Sequence, residues 1–126
     1  MNKKNQIIYW VSTGLLCLGM LAGGLAQLFQ AKPNVEGVMR LGYPLYFLAI
    51  LGTWKLLGVV ALLIPKRPIL KEWAYAGFFF AMTGAVLSHI LSGESFTSYP
   101  APLVFAMLTV ISWYFRPADR KLTSAL

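Results

Sequence analysis

Lys55 stands near the middle of a 22-residue apolar run, Tyr43 to Ile64, and is the only Asp, Glu, Lys or Arg inside any of four such runs. A charge at that depth of a bilayer costs from about 2.5 to more than 10 kcal/mol, so such residues face protein and mark candidate functional sites. Three roles fit the residue type. It could anchor the fold as an ion pair with Glu36 folded over it, because buried charges are usually paired. It could form an anion site, or hold a quinone-type carbonyl, opening to the outside. It could also be a desolvated neutral lysine that shuttles protons. Anchoring is the plainest of the three.

Little else in the chain could do chemistry. His89 is the only histidine and Cys17 the only cysteine. One histidine cannot build a two-histidine haem site or a multi-ligand zinc site, and one thiol cannot form an intrachain disulfide. No nucleophile–base pair, glycine-rich phosphate loop or metal-ligand cluster occurs. No catalytic residue, metal site or evident cofactor is therefore expected, and the chain is not expected to be an enzyme on its own.

The elements that must position Lys55 follow from the distribution of apolar residues. The chain has 126 residues, 58% of them hydrophobic and only 12% charged. Soluble domains carry roughly 45–50% and 25%. The apolar runs cover Ile7 to Phe29, Tyr43 to Ile64, Trp73 to Leu91 and Pro100 to Phe115. About 20 helical residues cross a hydrocarbon core of ~30 Å. The expected fold is thus all-α: one domain, a four-helix transmembrane bundle with spans near 7–29, 43–64, 73–91 and 100–115. The last run is short and needs thinned bilayer or its flanking residues.

Punctuation agrees. Pro33 ends the first helix, and a polar loop follows from Ala31 to Gly42. Pro44 suits a first helical turn, Pro65 and Pro68 make a tight basic turn, and Lys71-Glu72-Trp73 opens the third helix. Trp10, Trp73, Tyr75, Trp113 and Tyr114 are expected at one membrane interface, and Tyr43, Tyr46 and Tyr99 at the other.

Net charge is +7, but its placement does not call for nucleic acid. With four spans, Lys3, Lys4, Lys66, Arg67, Lys71, Arg116, Arg120 and Lys121 share one side, against Lys32 and Arg40 on the other. That asymmetry places both termini in the cytoplasm, with anionic headgroups as the partner of the basic rim. The first run exceeds the 7–15 residues typical of a signal-peptide core, so it is expected to remain as a span.

Small residues suggest packing faces. Ser12, Gly19, Gly23 and Ala26 share a stripe of the first span, and Gly77, Ala81, Gly84 and Ser88 one of the third. Such stripes let backbones approach closely in lipid, within the bundle or in a homodimer. Two glycines, Gly52 and Gly58, flank Lys55, which argues that its face meets protein. Because helical side chains lean toward the helix N-terminus, the ammonium should lean outward. Its candidate partners are Gln27, Glu36, Ser88, His89 and Glu94. Cys17 and Thr83 lie at similar depth but far around their helices, and are expected to face lipid or bond locally.

Several of these segments resemble the DoxX-like membrane family. They are Leu41-Gly42-Tyr43-Pro44-Leu45-Tyr46-Phe47, Ile50-Leu51-Gly52-Thr53-Trp54-Lys55-Leu56-Leu57-Gly58 and Leu63-Ile64-Pro65. Leu70-Lys71-Glu72-Trp73-Ala74-Tyr75-Ala76-Gly77-Phe78, Thr83-Gly84-Ala85, Ser88-His89 and Arg116-Pro117 continue the likeness, which covers about residues 10–117. It implies a small four-span bundle, multi-pass in a bacterial plasma membrane. Founding relatives are associated with a thiosulfate:quinone oxidoreductase and others with oxidative-stress assemblies. The resemblance therefore implies an accessory subunit or small-ligand binder of a membrane redox system, with quinone as the cofactor it would bring. Many such patterns carry an acid in the second span and a base after the first, where this chain has Lys55 and Gln27. No family catalytic residue is carried over. A small dimeric transporter of an anionic solute using Lys55, or a quinone-coupled oxidoreductase subunit, are the alternatives.

Overall fold

The computed structural model describes residues 2–93 and 100–121, with Asp119 described by its backbone alone. Its elements are helical: α1 (Lys3–Leu28), α2 (Lys32–Arg40), α3 (Phe47–Leu63), α4 (Pro68–Leu91) and α5 (Pro100–Tyr114), then one 3-10 turn, Ala118–Arg120. α1 packs against α3 and α5, and α4 packs against the same two, so these four helices form a ring with short α2 at one end. By length and composition α1 and α4 could each cross a membrane; α3 and α5 are apolar but shorter. The 17 residues of α3 span about 25 Å.

Local chemistry explains where the helices begin and end, and corrects several expectations. The side chain of Asn2 accepts from the amide of Asn5 at 2.8 Å and starts α1, as an N-cap should. α1 stops at Phe29, where Gln30 turns left-handed with φ +53°. Pro33 then sits in the first turn of α2, where its missing N–H is no loss. The expected polar loop is therefore a helix. Val35, Val38 and Leu41, three apart, are half-buried while Glu36, Met39 and Arg40 are exposed. Pro44 precedes α3 instead of starting it; its carbonyl accepts from Phe47 in a turn. Pro68 likewise opens α4 rather than closing the basic turn, so α4 starts five residues before Trp73.

That early start changes the position of Lys71. Expected on the basic rim, it is 1% exposed, and its Nζ donates to the carbonyls of Ala61, at 3.1 Å, and Ile64. Arg120 donates to the carbonyl of Leu62 at 2.8 Å. Two cations thus satisfy the last-turn carbonyls of α3, the negative end of its dipole. Arg120 also lies 5.0 Å over the Trp10 ring, which ties the chain beyond α5 to α1 as well.

The core sits toward this basic end. Leu16, Met20, Val59, Leu62, Tyr75, Phe78, Met82 and Ala106 form it, together with Cys17. Cys17 was expected to face lipid. The buried line on α1 runs Tyr9, Thr13, Leu16, Met20, Gln27, flanked by the small-residue stripe, whose Ser12 is also buried. Bulky side chains fill the middle of the ring, and small ones are needed where a backbone or an aromatic ring of the next helix comes close, as at Gly24 and Gly52, or at Gly19 against Phe105. Tyr75, expected at the interface, is buried, and its hydroxyl pairs with Ser112 Oγ at 2.8 Å. Ser112 Oγ also pairs with Thr13 Oγ1 at 2.6 Å. These bonds let polar side chains occupy an apolar interior without leaving unpaired groups. Thr83 back-bonds to the carbonyl of Phe79 at 2.8 Å.

Replacing Lys71 with methionine should lower stability by about 1–3 kcal/mol, because it strips buried carbonyls of their donor. The exposed Lys66→Met should change it by less than about 0.5 kcal/mol. Thermal unfolding in detergent, followed by circular dichroism, checks both; equal stability of the two variants would contradict the capping role.

Candidate functional site

Lys55 is half-buried on α3, on the side that meets α1. Glycines make this contact. A Cβ added at Gly52 would stand 2.7 Å from the carbonyl oxygen of Gly24 and 2.8 Å from Leu28 Cγ. A Cβ added at Gly24 would lie 3.1 Å from the carbonyl oxygen of Gly52 and 3.2 Å from Lys55 Cβ. Backbone therefore lies on backbone. One residue earlier, the Cβ position of Gly23 is 3.6 Å from Lys55 Nζ, with no other neighbour within 4 Å. The absent side chain of Gly23 is the space over the ammonium.

The five sequence candidates separate. Glu36 is exposed on α2 and forms no ion pair with Lys55; the anchoring pair expected of these two is not formed. Ser88 Oγ is taken by the Tyr43 hydroxyl at 2.7 Å. His89 is half-buried in the last turn of α4, and its carbonyl accepts from Ser92. Glu94 and Tyr99 lie outside the described residues. Gln27 is one turn beyond Gly23 on α1, 8% exposed, and its Oε1 has no hydrogen-bond partner among the described residues. A buried acceptor without a donor is disfavoured by about 1–3 kcal/mol. Lys55 and Gln27 are thus the two candidates whose polar atoms are left over on the α1–α3 face.

The two ends of the ring differ. Toward the basic end the interior is closed. Beyond Met82, by contrast, no residue of α4 is buried; Thr83, Gly84, Ala85, Val86, Ser88 and His89 are all half-exposed. Sequence reasoning found Lys55 but missed the polar cluster at the closed end. There Glu72 pairs with Arg116 at 3.1 Å and accepts from Trp113 Nε1 at 3.0 Å, and Arg116 stacks 4.5 Å over the Trp113 ring. The fully buried Tyr9 hydroxyl has no partner among the described residues. Thr13 and Ser112, hydroxyls inside apolar runs, were the available signal. Among the described residues no three His, Cys, Asp or Glu side chains come together.

What the arrangement offers chemically is one ammonium, three N–H donors, against Gly23 of α1, with an unsatisfied amide oxygen at Gln27 one turn further along that helix. It could hold an anionic or carbonyl oxygen, and a quinone carbonyl fits that donor.

The described elements are helical, and two of the helices are long and apolar enough to cross a bilayer. The DoxX-like family model matches residues 11–112, and the chain belongs to that family. No curated protein and no solved structure matches it significantly.

The glycine contact carries a test. Gly52→Ala should destabilise by about 1–3 kcal/mol through overpacking. Gly77→Ala, where a Cβ meets open space, should be neutral or stabilising by up to about 1 kcal/mol. Chemical unfolding of the two variants beside the wild type decides; a harmless Gly52→Ala would refute the backbone contact.

Proposed function

We propose that the four longer helices form a transmembrane bundle with both termini cytoplasmic. In this reading the protein binds a small ligand at Lys55, as an accessory component of a membrane redox system. The observation that carries the ligand reading is an ammonium held over Gly23 with no carboxylate partner among the described residues. A structural lysine inside a membrane protein would be expected to have its counter-charge. Lys71 shows the contrast: it is buried deeper, and its ammonium is satisfied by carbonyls.

The open end of the ring, beyond Met82 and Lys55, would face the outside. The closed end, with Lys66, Arg67, Arg116 and Arg120, would face the cytoplasm, in keeping with the positive-inside bias. Family membership supports a membrane setting. The redox setting is taken from the family resemblance.

Two measurements test it. In a Cys17→Ala background, Glu36→Cys should react with an impermeant thiol reagent added outside intact cells, and Lys66→Cys should not. The opposite pattern would sink the orientation. Small organic anions, or a short-chain quinone, should raise the thermal midpoint of the wild-type protein. Lys55→Met should fold and lose that shift; a shift that survives the substitution removes Lys55 from the site.

A further inference from the structure

Between α3 and α4 runs an apolar groove of about 630 Å³. Trp54 and Trp73, 66% and 68% exposed, stand on opposite walls. Among the described residues, Lys55 is the only charged one that lines it. The groove therefore reaches the same side chain that meets α1 at Gly23.

Its width has a residue-level cause. At Gly58 the helices close, because a Cβ there would stand 2.5 Å from the Phe78 ring. At Gly77 they do not: nothing lies within 4 Å of the Cβ position. Of the small-residue stripe on α4, Gly77 and Ala81 thus line the groove. From Lys55 to Ile64 the groove extends about 14 Å along α3, enough for the head-proximal part of one extended apolar chain. Its volume suits one slender ligand, since pockets for drug-sized molecules run about 300–1,000 Å³.

The geometry points to a single-chain carboxylate amphiphile of the bilayer as the ligand, its chain in the α3–α4 groove and its head at Lys55. This rests on Lys55 being a binding site, and adds the class of ligand and its path from the lipid. Charge decides the head. An ammonium without a carboxylate partner among the described residues takes an anionic oxygen, and a charge-assisted bond in a dry site is the stronger kind. The apolar walls decide the path: a lipid chain can slide between Trp54 and Trp73 without entering water.

Tryptophan quenching by a chain-brominated stearate tests this in nanodiscs of zwitterionic phospholipid. In a Trp10→Phe, Trp113→Phe protein the remaining tryptophans are Trp54 and Trp73. The brominated carboxylate should quench them saturably, and its methyl ester should not. Lys55→Met should weaken binding about tenfold or more, the scale of one charge-assisted hydrogen bond. Gly77→Leu, which fills the groove without touching Lys55, should weaken it as much. Equal saturable quenching by the ester would overturn the carboxylate head. Binding lost in Lys55→Met but intact in Gly77→Leu would overturn the groove and leave the Lys55 site standing. Binding unaffected by either substitution would overturn both.

Discussion

Two helices can lay backbone on backbone only where neither carries a side chain, and Gly24 with Gly52 is that place here. The rest of the candidate site hangs on this contact. It brings α3 close enough that Lys55 Cβ lies beside Gly24 and Lys55 Nζ beside Gly23. A wider separation would let the lysine turn away toward lipid. In a bilayer, close packing of this kind replaces the hydrophobic drive that is missing between helices. The contact also sets the lysine against α1, where no acid among the described residues neutralises it.

The two interior lysines show how one residue type serves two ends. Lys71, in the first turns of α4, closes the ring by holding the C-terminal carbonyls of α3, and Arg120 reaches the same helix end from beyond α5. Lys55 has a comparable ammonium and no such carbonyls, since mid-helix carbonyls are already bonded within α3. Position along the helix therefore decides which lysine is structural. The closed end gathers the hydroxyls of Thr13, Tyr75 and Ser112 around that cap. The other end leaves Lys55 and Gln27 unmatched.

Much of this was legible from the chain. The apolar runs located α1, α3, α4 and α5, and an isolated charge in one of them located Lys55. The departures have physical causes. Prolines 33 and 68 were read as stops, whereas a proline at the first helical position is a start; α2 and the first turn of α4 were hidden by that ambiguity. Lys71 looked like one more rim charge because its acceptors, main-chain carbonyls at the end of another helix, have no sequence signature. Glu36 looked like the partner of Lys55 because opposite charges invite pairing, but α2 carries it on its exposed face. The small-residue stripes split: on α1, Ser12 is buried, Gly19 lies against the Phe105 ring and Gly23 against Lys55, as a packing face should, whereas on α4 Gly77 borders a groove.

The central claim is that Lys55 points at α1 and not into lipid. Magic-angle-spinning NMR of the wild-type protein in bilayers, with lysine and glycine isotopically labelled, measures this directly. A dipolar contact between the Lys55 Cε–Nζ group and Gly23 Cα is expected. A Lys55 side chain in contact with lipid acyl protons, and none with Gly23, would contradict the account.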